Sequence, residues 1–405
     1  MPRKYSLVSL AVLAATAGTV QAGDVSFSGF LTVAGGMVDD ESEQVVYAGY
    51  SEEDITFDAD TVFGLQVSSA VTDKLTITGQ LVARGDNDYD LDAEWAYVSY
   101  AFSDNFTGRM GRLRTPLYLY SDYVDVGYAY GWLRAPAEVY YLPFNNVQGI
   151  DFVWNYSVGS FDGSAQWYFG ALTDTFFNAD TQSTLDARLR NQTGLALSIG
   201  NDWLTLRAAY HKVDLTITGL EGLVLDDQGI PQIPDTMADF IIALSAAPGG
   251  IGQPAVDALQ VEEDSVTFKQ IGFTVDTGTF VAAGESVEFE VDDSPFSVDK
   301  RAYLMVGFRA GDFLFHVTKA EVEDEAAPLE ESLHPALAGY GSLMQGIANK
   351  LVSEYETLSV GVRWDFTSSA AFKLQVDDLT DNKVESPIDV DGDQRVVAFG
   401  ISTVF

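Results

Sequence analysis

The chain has 405 residues, with 60 acidic against 22 basic side chains and a formal net charge of −38. A surface this acidic repels polyanions and excludes nucleic acid as a partner. Cysteine is absent, so no disulfide staples the fold.

At the start of the chain, Arg3 and Lys4 precede an apolar run from Leu7 to Ala15, and Val20-Gln21-Ala22 supplies small residues for cleavage. This is the pattern of a secretory signal peptide, with an apolar core well short of the ~20 residues that span a bilayer. Residues 1–22 are therefore expected to be removed, leaving 23–405 with a net charge of −40 once Arg3 and Lys4 are gone. No later stretch approaches the ~18 consecutive apolar residues of a membrane helix. Yet 19 Tyr, 25 Phe, 6 Trp and 36 Gly are spread through alternating segments with no Pro/Ser-rich linker, as in a barrel with aromatic girdles.

Period-two segments follow in chain order. Val25–Val38 comes first, then Thr61–Val71 with Lys74–Arg84, and Leu91–Phe102 with Phe106–Thr115. Next come Val147–Ser157 with Phe161–Gly170, Asn191–Gly200 with Trp203–Val213, and Ser265–Val275 with Thr279–Glu290. Arg301–Ala310 with Phe313–Ala320, Glu356–Phe366 with Ala370–Asp377, and Arg395–Phe405 complete sixteen predicted strands. Tight connections such as Thr72-Asp73, Asn201-Asp202 and Gly311-Asp312 alternate with long polar ones, the directional pattern of outer-membrane barrels with short periplasmic turns and long extracellular loops.

Within the strands the two faces separate. Leu75, Ile77, Gly79 and Leu81 oppose Thr76, Thr78, Gln80 and Arg84, and Leu358, Val360, Val362 and Trp364 oppose Ser359, Gly361, Arg363 and Asp365. In the last strand Val397, Phe399, Ile401, Thr403 and Phe405 share the lipid-suited face. A barrel of roughly sixteen strands is too wide for side chains to fill, so an aqueous lumen is expected.

With its signal peptide, sixteen alternating strands, final Phe405 and one long loop after the fifth strand, the chain resembles the Gram-negative general porins over essentially all of 23–405. The run Gly111-Arg-Leu-Arg-Thr-Pro-Leu-Tyr-Leu-Tyr-Ser-Asp-Tyr123, together with Val281-Ala-Ala-Gly-Glu285 and Val291-Asp-Asp-Ser294, is similar to porin-like proteins of marine proteobacteria. The resemblance implies a homotrimer in the outer membrane, a third extracellular loop folded into each barrel as the constriction, and Phe405 as the signal read by the outer-membrane assembly machinery. That loop is about Pro116–Asn146. It carries Asp122, Asp125, Glu138 and Arg134, seven tyrosines with Tyr156 just beyond, and Gly127 and Gly131, which are expected to permit sharp bends. Rings in such number favour burial against the wall. The Pro-Glu-Phe-Gly-Gly signature of enterobacterial constriction loops is missing.

The inward register assigned to the fifth strand sets Arg112 and Arg114 on the lumen side, with Arg84, Arg207 and Arg363 from other strands. Arg112, Arg114, Asp122 and Asp125, followed by Arg84, Glu138, Arg363 and Lys373, are the expected pore-lining residues. Such charges either form a transverse field across the eyelet or pair with loop acids to hold the loop down, and one network can do both.

Asp86, Asp88 and Asp90, and likewise Asp389, Asp391 and Asp393, have spacing that calcium could use, but neither run has the twelfth-position Glu of an EF-hand. Solvated loop acids are the simpler reading, and no cofactor is expected; divalent bridging to lipopolysaccharide is a related possibility. The long loops Asp214–Asp264 and Glu321–Tyr355 hold helical patterns at Thr236–Ala247 and Leu337–Val352. His211, His316 and His334 adjoin no nucleophile or metal motif, so no enzymatic activity is expected. The sequence points to a passive channel for small hydrophilic solutes and ions that favours cations. The alternatives are a substrate-selective porin or, in a different class, a structural or adhesive barrel with a plugged lumen.

Overall fold

The computed structural model describes residues 25–39, 47–50, 54–178, 183–222, 236–296, 298–381 and 394–405. The expected signal peptide and the acidic run Asp389–Asp393 lie outside them.

Alternation of apolar and polar side chains produces strands, and here it produces sixteen. They are β1 (Val25–Val38), β2 (Val62–Ala70), β3 (Leu75–Arg84), β4 (Leu91–Ser103), β5 (Phe106–Arg114), β6 (Asn146–Val158), β7 (Phe161–Asn178) and β8 (Ser183–Gly200). Then follow β9 (Leu204–Thr218), β10 (Val261–Asp276), β11 (Phe280–Val291), β12 (Val298–Ala310), β13 (Phe313–Glu325), β14 (Glu354–Thr367), β15 (Ala370–Asp381) and β16 (Gln394–Val404). Each pairs antiparallel with the next, and β16 closes on β1 from Phe30 opposite Val404 to Val38 opposite Val396. Closure pairs the backbone donors and acceptors of the wall without a free edge, the condition for a sheet to cross a bilayer.

The exterior row is apolar and open. Trp167 is 44% exposed while the next residue, Tyr168, is 2% exposed and faces inward. Exterior rings gather where the turns are short, as at Phe102, Trp154, Trp203, Phe313, Trp364 and Phe405, forming a girdle at one rim. At the other rim the exterior row turns charged, with the Lys269–Glu288 and Lys300–Glu325 ion pairs.

Strands β7 and β8 run eight residues further toward the loop end than alternation implied. Their registers shift between Gly170 and Leu172 and between Arg190 and Thr193. Both shifts come from one extra residue in β8 around Asn191. It inverts the inward parity of β8 from Gln192 and Ala196 to Leu185, Ala187 and Leu189 while β7 keeps its own, so the period-two pattern of β8 breaks although the sheet continues. Beyond the shift, Leu172, Leu185, Ala187 and Leu189 form an apolar inner surface with Leu215, Ile217 and Val266.

Both expected loop helices form. α1 (Met237–Ser245) starts where the Thr236 hydroxyl accepts the Asp239 amide at 3.2 Å. α2 (Gln253–Asp257), too short to leave a periodic signature, follows it, and α3 (Gly341–Lys350) follows a 3₁₀ turn over Pro335–Tyr340. Phe240, Leu244, Val256, Leu329, Met344 and Ile347 join these helices in one buried cluster above the wall.

At the seam, Phe405 exchanges backbone hydrogen bonds with Gly29 at 2.8 and 3.0 Å. Its ring covers the position where a side chain at Gly29 would project, only 2.5 Å from where the first carbon of that side chain would stand. Gly29→Val should therefore overpack the closing pair by about 1–3 kcal/mol and lower the temperature at which the compact band is lost on semi-native gels. An unchanged midpoint would mean that the ring swings away freely.

Candidate functional site: the folded-in loop and the aperture beside it

Between β5 and β6 the chain leaves the wall and crosses the lumen. Its Leu117, Tyr118, Tyr120, Tyr130, Trp132 and Val139 are buried against Phe268, Ala283, Val287, Tyr303, Met305 and Ala320 of β10 to β13. Apolar burial drives this docking at about 25 cal/mol per Å². The polar tips of the rings then find wall partners: Trp132 Nε1 donates to Thr318 Oγ1 at 2.7 Å, the Tyr140 hydroxyl to Glu285 at 2.5 Å and the Tyr141 hydroxyl to Asp299 at 2.7 Å. Tyr156 belongs to β6 and takes no part.

A loop buried in a lumen must still satisfy its carbonyls. Wall cations do so. Lys373, 1% exposed, donates to the carbonyls of Gly127, Tyr130 (2.9 Å) and Trp132, and Arg363 to those of Tyr128 (2.7 Å) and Tyr130 (2.8 Å). Arg207 donates to the Pro116 carbonyl at 2.5 Å. Gly127 and Gly131 do not provide left-handed bends, since neither has positive φ. Gly127 provides close approach: a Cβ there would lie 2.5 Å from Thr32 Oγ1 and 2.8 Å from Ser402 Oγ.

Ion pairs fix the loop at two further points. Asp125 sits between Arg84 (3.0 Å) and Arg114 (2.6 Å), and Glu94 joins the same two guanidiniums at 2.5 and 2.9 Å. Burial pushes the Asp125 carboxyl up, but the Arg114 and Arg84 charges outweigh it and hold the group below its ordinary value. Arg134 bridges Asp60 of the first loop at 2.5 Å and Asp377 of β15 at 2.7 Å. Burial nonetheless raises the Asp60 carboxyl, with Arg134 opposing. Glu138 accepts the hydroxyls of Tyr47 (2.7 Å) and Thr357 (2.5 Å).

Because the loop hugs β9 through β16, the lumen stays open on the opposite side. There the inward side chains of Tyr97, Arg109 and Val153 are only half-buried, whereas Phe268, Tyr303 and Thr318 under the loop are buried. Asp122 and Tyr123 are the exposed loop residues bordering this gap. The Asp122 charge acts on Arg109 and Arg207 across it. Arg109 is already paired with Asp151, while Arg207 is held by the neutral Pro116 carbonyl.

The expected site residues thus divide. Asp122 borders the gap. Arg84, Arg114 and Asp125 form one ionic knot, and Glu138, Arg363 and Lys373 are loop anchors. Arg112 departs from its expected inward register: it stands opposite Ala96 and Gln148, in the row of Met110, which is 62% exposed. Met110 and Arg112 have the same parity, so one cannot face lipid and the other the lumen; Arg109 is the inward arginine of that strand. Arg114, the last residue of β5, reaches the knot as the chain leaves the wall. Glu94 was missed because plain alternation groups it with Ala96 and Val98; a register shift between Gln80 and Leu81 turns it inward. An acid in an otherwise lipid-facing row was the available signal.

No protein-family model matches the chain, and no curated protein matches it in sequence. Solved structures do share its fold. The trimer form of OmpT, an outer membrane protein of Vibrio cholerae, is 13% identical over 95% of this chain and 100% of that one, with a TM-score of 0.51. The anion-selective porin of Comamonas acidovorans is 13% identical over 94% and 99%, with a TM-score of 0.54. OmpF of Salmonella typhi, solved with daunomycin, is 11% identical over 95% and 98%, with a TM-score of 0.53. The fold is that of the sixteen-stranded outer-membrane barrels.

The Asp125 knot carries a pH signature. A carboxylate whose folded value lies below its unfolded value contributes stability that is fully present above the ordinary carboxylate range and is lost only as pH falls through the depressed value. Acidifying from pH 7 to 5 should therefore leave the loop latched at this point, with unchanged open-channel noise. Asp125→Asn should raise that noise at pH 7 and cost on the order of 3 kcal/mol of stability. Equal noise in mutant and wild type would show that the knot does not hold the loop.

Proposed function

We propose that the protein is an outer-membrane channel for passive diffusion of small hydrophilic solutes and ions, favouring cations. The observation that carries this reading is the half-buried wall sector around Tyr97, Arg109 and Val153, which faces Asp122 and Tyr123 across a gap the loop does not fill. At the gap Arg109 is neutralised by Asp151, leaving Arg207 against Asp122. Asp86, Asp88, Asp90 and Asp92 stand nearby on the mouth, so cations meet an attractive entrance. The Comamonas relative in fold is described as anion-selective; the local charges here favour the opposite preference. Catalysis forms no part of the proposal: His211 bonds Tyr168 at 3.0 Å, His316 packs on Trp132, and His334 accepts the Ala336 amide at 3.1 Å.

Assembly as a homotrimer is part of the same proposal, supported by the trimer form of the Vibrio structure. Recognition of Phe405 by the assembly machinery and contact of the charged rim with lipopolysaccharide complete it.

Reconstituted protein should swell liposomes in small sugars and give a cation-selective reversal potential across a salt gradient. Asp122→Asn should shift that potential toward anions by several millivolts, and deletion of Tyr118–Tyr141 should raise conductance. An absence of flux with wild-type protein would favour the plugged barrel, and strict anion preference would overturn the selectivity. Deleting Phe405 should reduce assembled yield while leaving single-channel conductance unchanged; normal yield would contradict its assembly role.

A further inference from the structure

Both ends of the folded-in loop pass over a cavity of about 50 Å³ that the channel reading leaves unused. Leu117 and Leu142 cover it from the loop, and Leu189, Val213 and Phe268 back it from the wall. Its polar lining is Thr115, Gln192, Tyr168, His211 and Lys212. Thr115 is 2% exposed and Gln192 is 4% exposed, and neither Thr115 Oγ1 nor Gln192 Oε1 has a hydrogen-bond partner. His211, also in the lining, is engaged by the Tyr168 hydroxyl through Nδ1, but its Nε2 is a third buried atom without a hydrogen-bond partner.

Buried polar atoms of native proteins find partners, so a built cavity with three orphans calls for an occupant. Space of this size holds roughly three to five waters at 10–15 Å³ each. Waters filling it would each need two to four polar partners, more than three orphaned atoms can supply in a lining that is mostly hydrocarbon. The combination suits one hydroxyl with a short apolar tail. A hydroxyl both donates and accepts, so it answers Thr115 and either orientation of the Gln192 amide.

We propose that this niche at the root of the loop is a binding site for a small neutral alcohol, its hydroxyl held between Thr115 and Gln192 and its hydrocarbon against Leu117, Leu142 and Phe268. An occupant there touches the departing and returning ends of the loop together with the wall, and so ties the loop down.

Crystals of the intact barrel soaked in 2-bromoethanol test this through the anomalous signal of bromine. The expected result is a bromine peak inside the cavity with the hydroxyl at hydrogen-bond distance from Gln192 or Thr115, and a much weaker peak with bromoethane at equal concentration. Gln192→Leu and Thr115→Val should each abolish the preference for the alcohol. Equal peaks for the two probes in the wild type, or ordered water alone, would overturn the proposal. That wild-type comparison stands even if neither variant folds.

Discussion

A closed sheet of sixteen strands encloses more space than inward side chains can fill. The rest of this structure follows from that mismatch. The exterior is solvated by lipid, but the interior needs either water or filler, and the loop between β5 and β6 is the filler. It replaces lumen water by a packed aromatic layer on β10 to β13 and leaves the sector of Tyr97, Arg109 and Val153 on β4 to β6 for solvent.

Burying a loop is harder than burying a strand, because its carbonyls have no sheet partner. Here inward cations of the wall are assigned to that task. Lys373, Arg363 and Arg207 cap loop carbonyls, and Arg301 donates to the Glu138 carbonyl while stacking on the Tyr141 ring at 3.5 Å. Arg84, Arg114 and Arg134 meet carboxylates. Of the two roles that inward arginines can serve, an eyelet field or a tether, most of them serve the tether. The charge left facing the gap is correspondingly small, and the acidic mouth has more weight in any ion preference.

The loop is held from several independent directions: ring packing, carbonyl capping, the Asp125 knot and the Arg134 bridge to the first loop. Contacts this far apart add nearly independently. Loss of any one should loosen a segment of the loop before the whole detaches.

The sequence by itself determined the wall. Alternation with period two, tight polar turns and exterior aromatics are local properties, and they placed sixteen strands, the closing pair and both loop helices with only end positions differing. It also marked the folded-in loop, since seven tyrosines cannot stay in water cheaply. What it did not determine was which charged side chain meets which. Strand parity is inverted by single-residue bulges, as at Glu94 and around Asn191, and an ambiguous parity choice in a glycine-containing strand put Arg112 where Arg109 stands. The partners of Lys373 and Arg363 are backbone carbonyls more than 230 positions away in the chain, a pairing that no local pattern encodes. Only the closed barrel, by bringing β14 and β15 beside a loop that leaves β5, decides that these cations are anchors and that Asp122 remains at the opening.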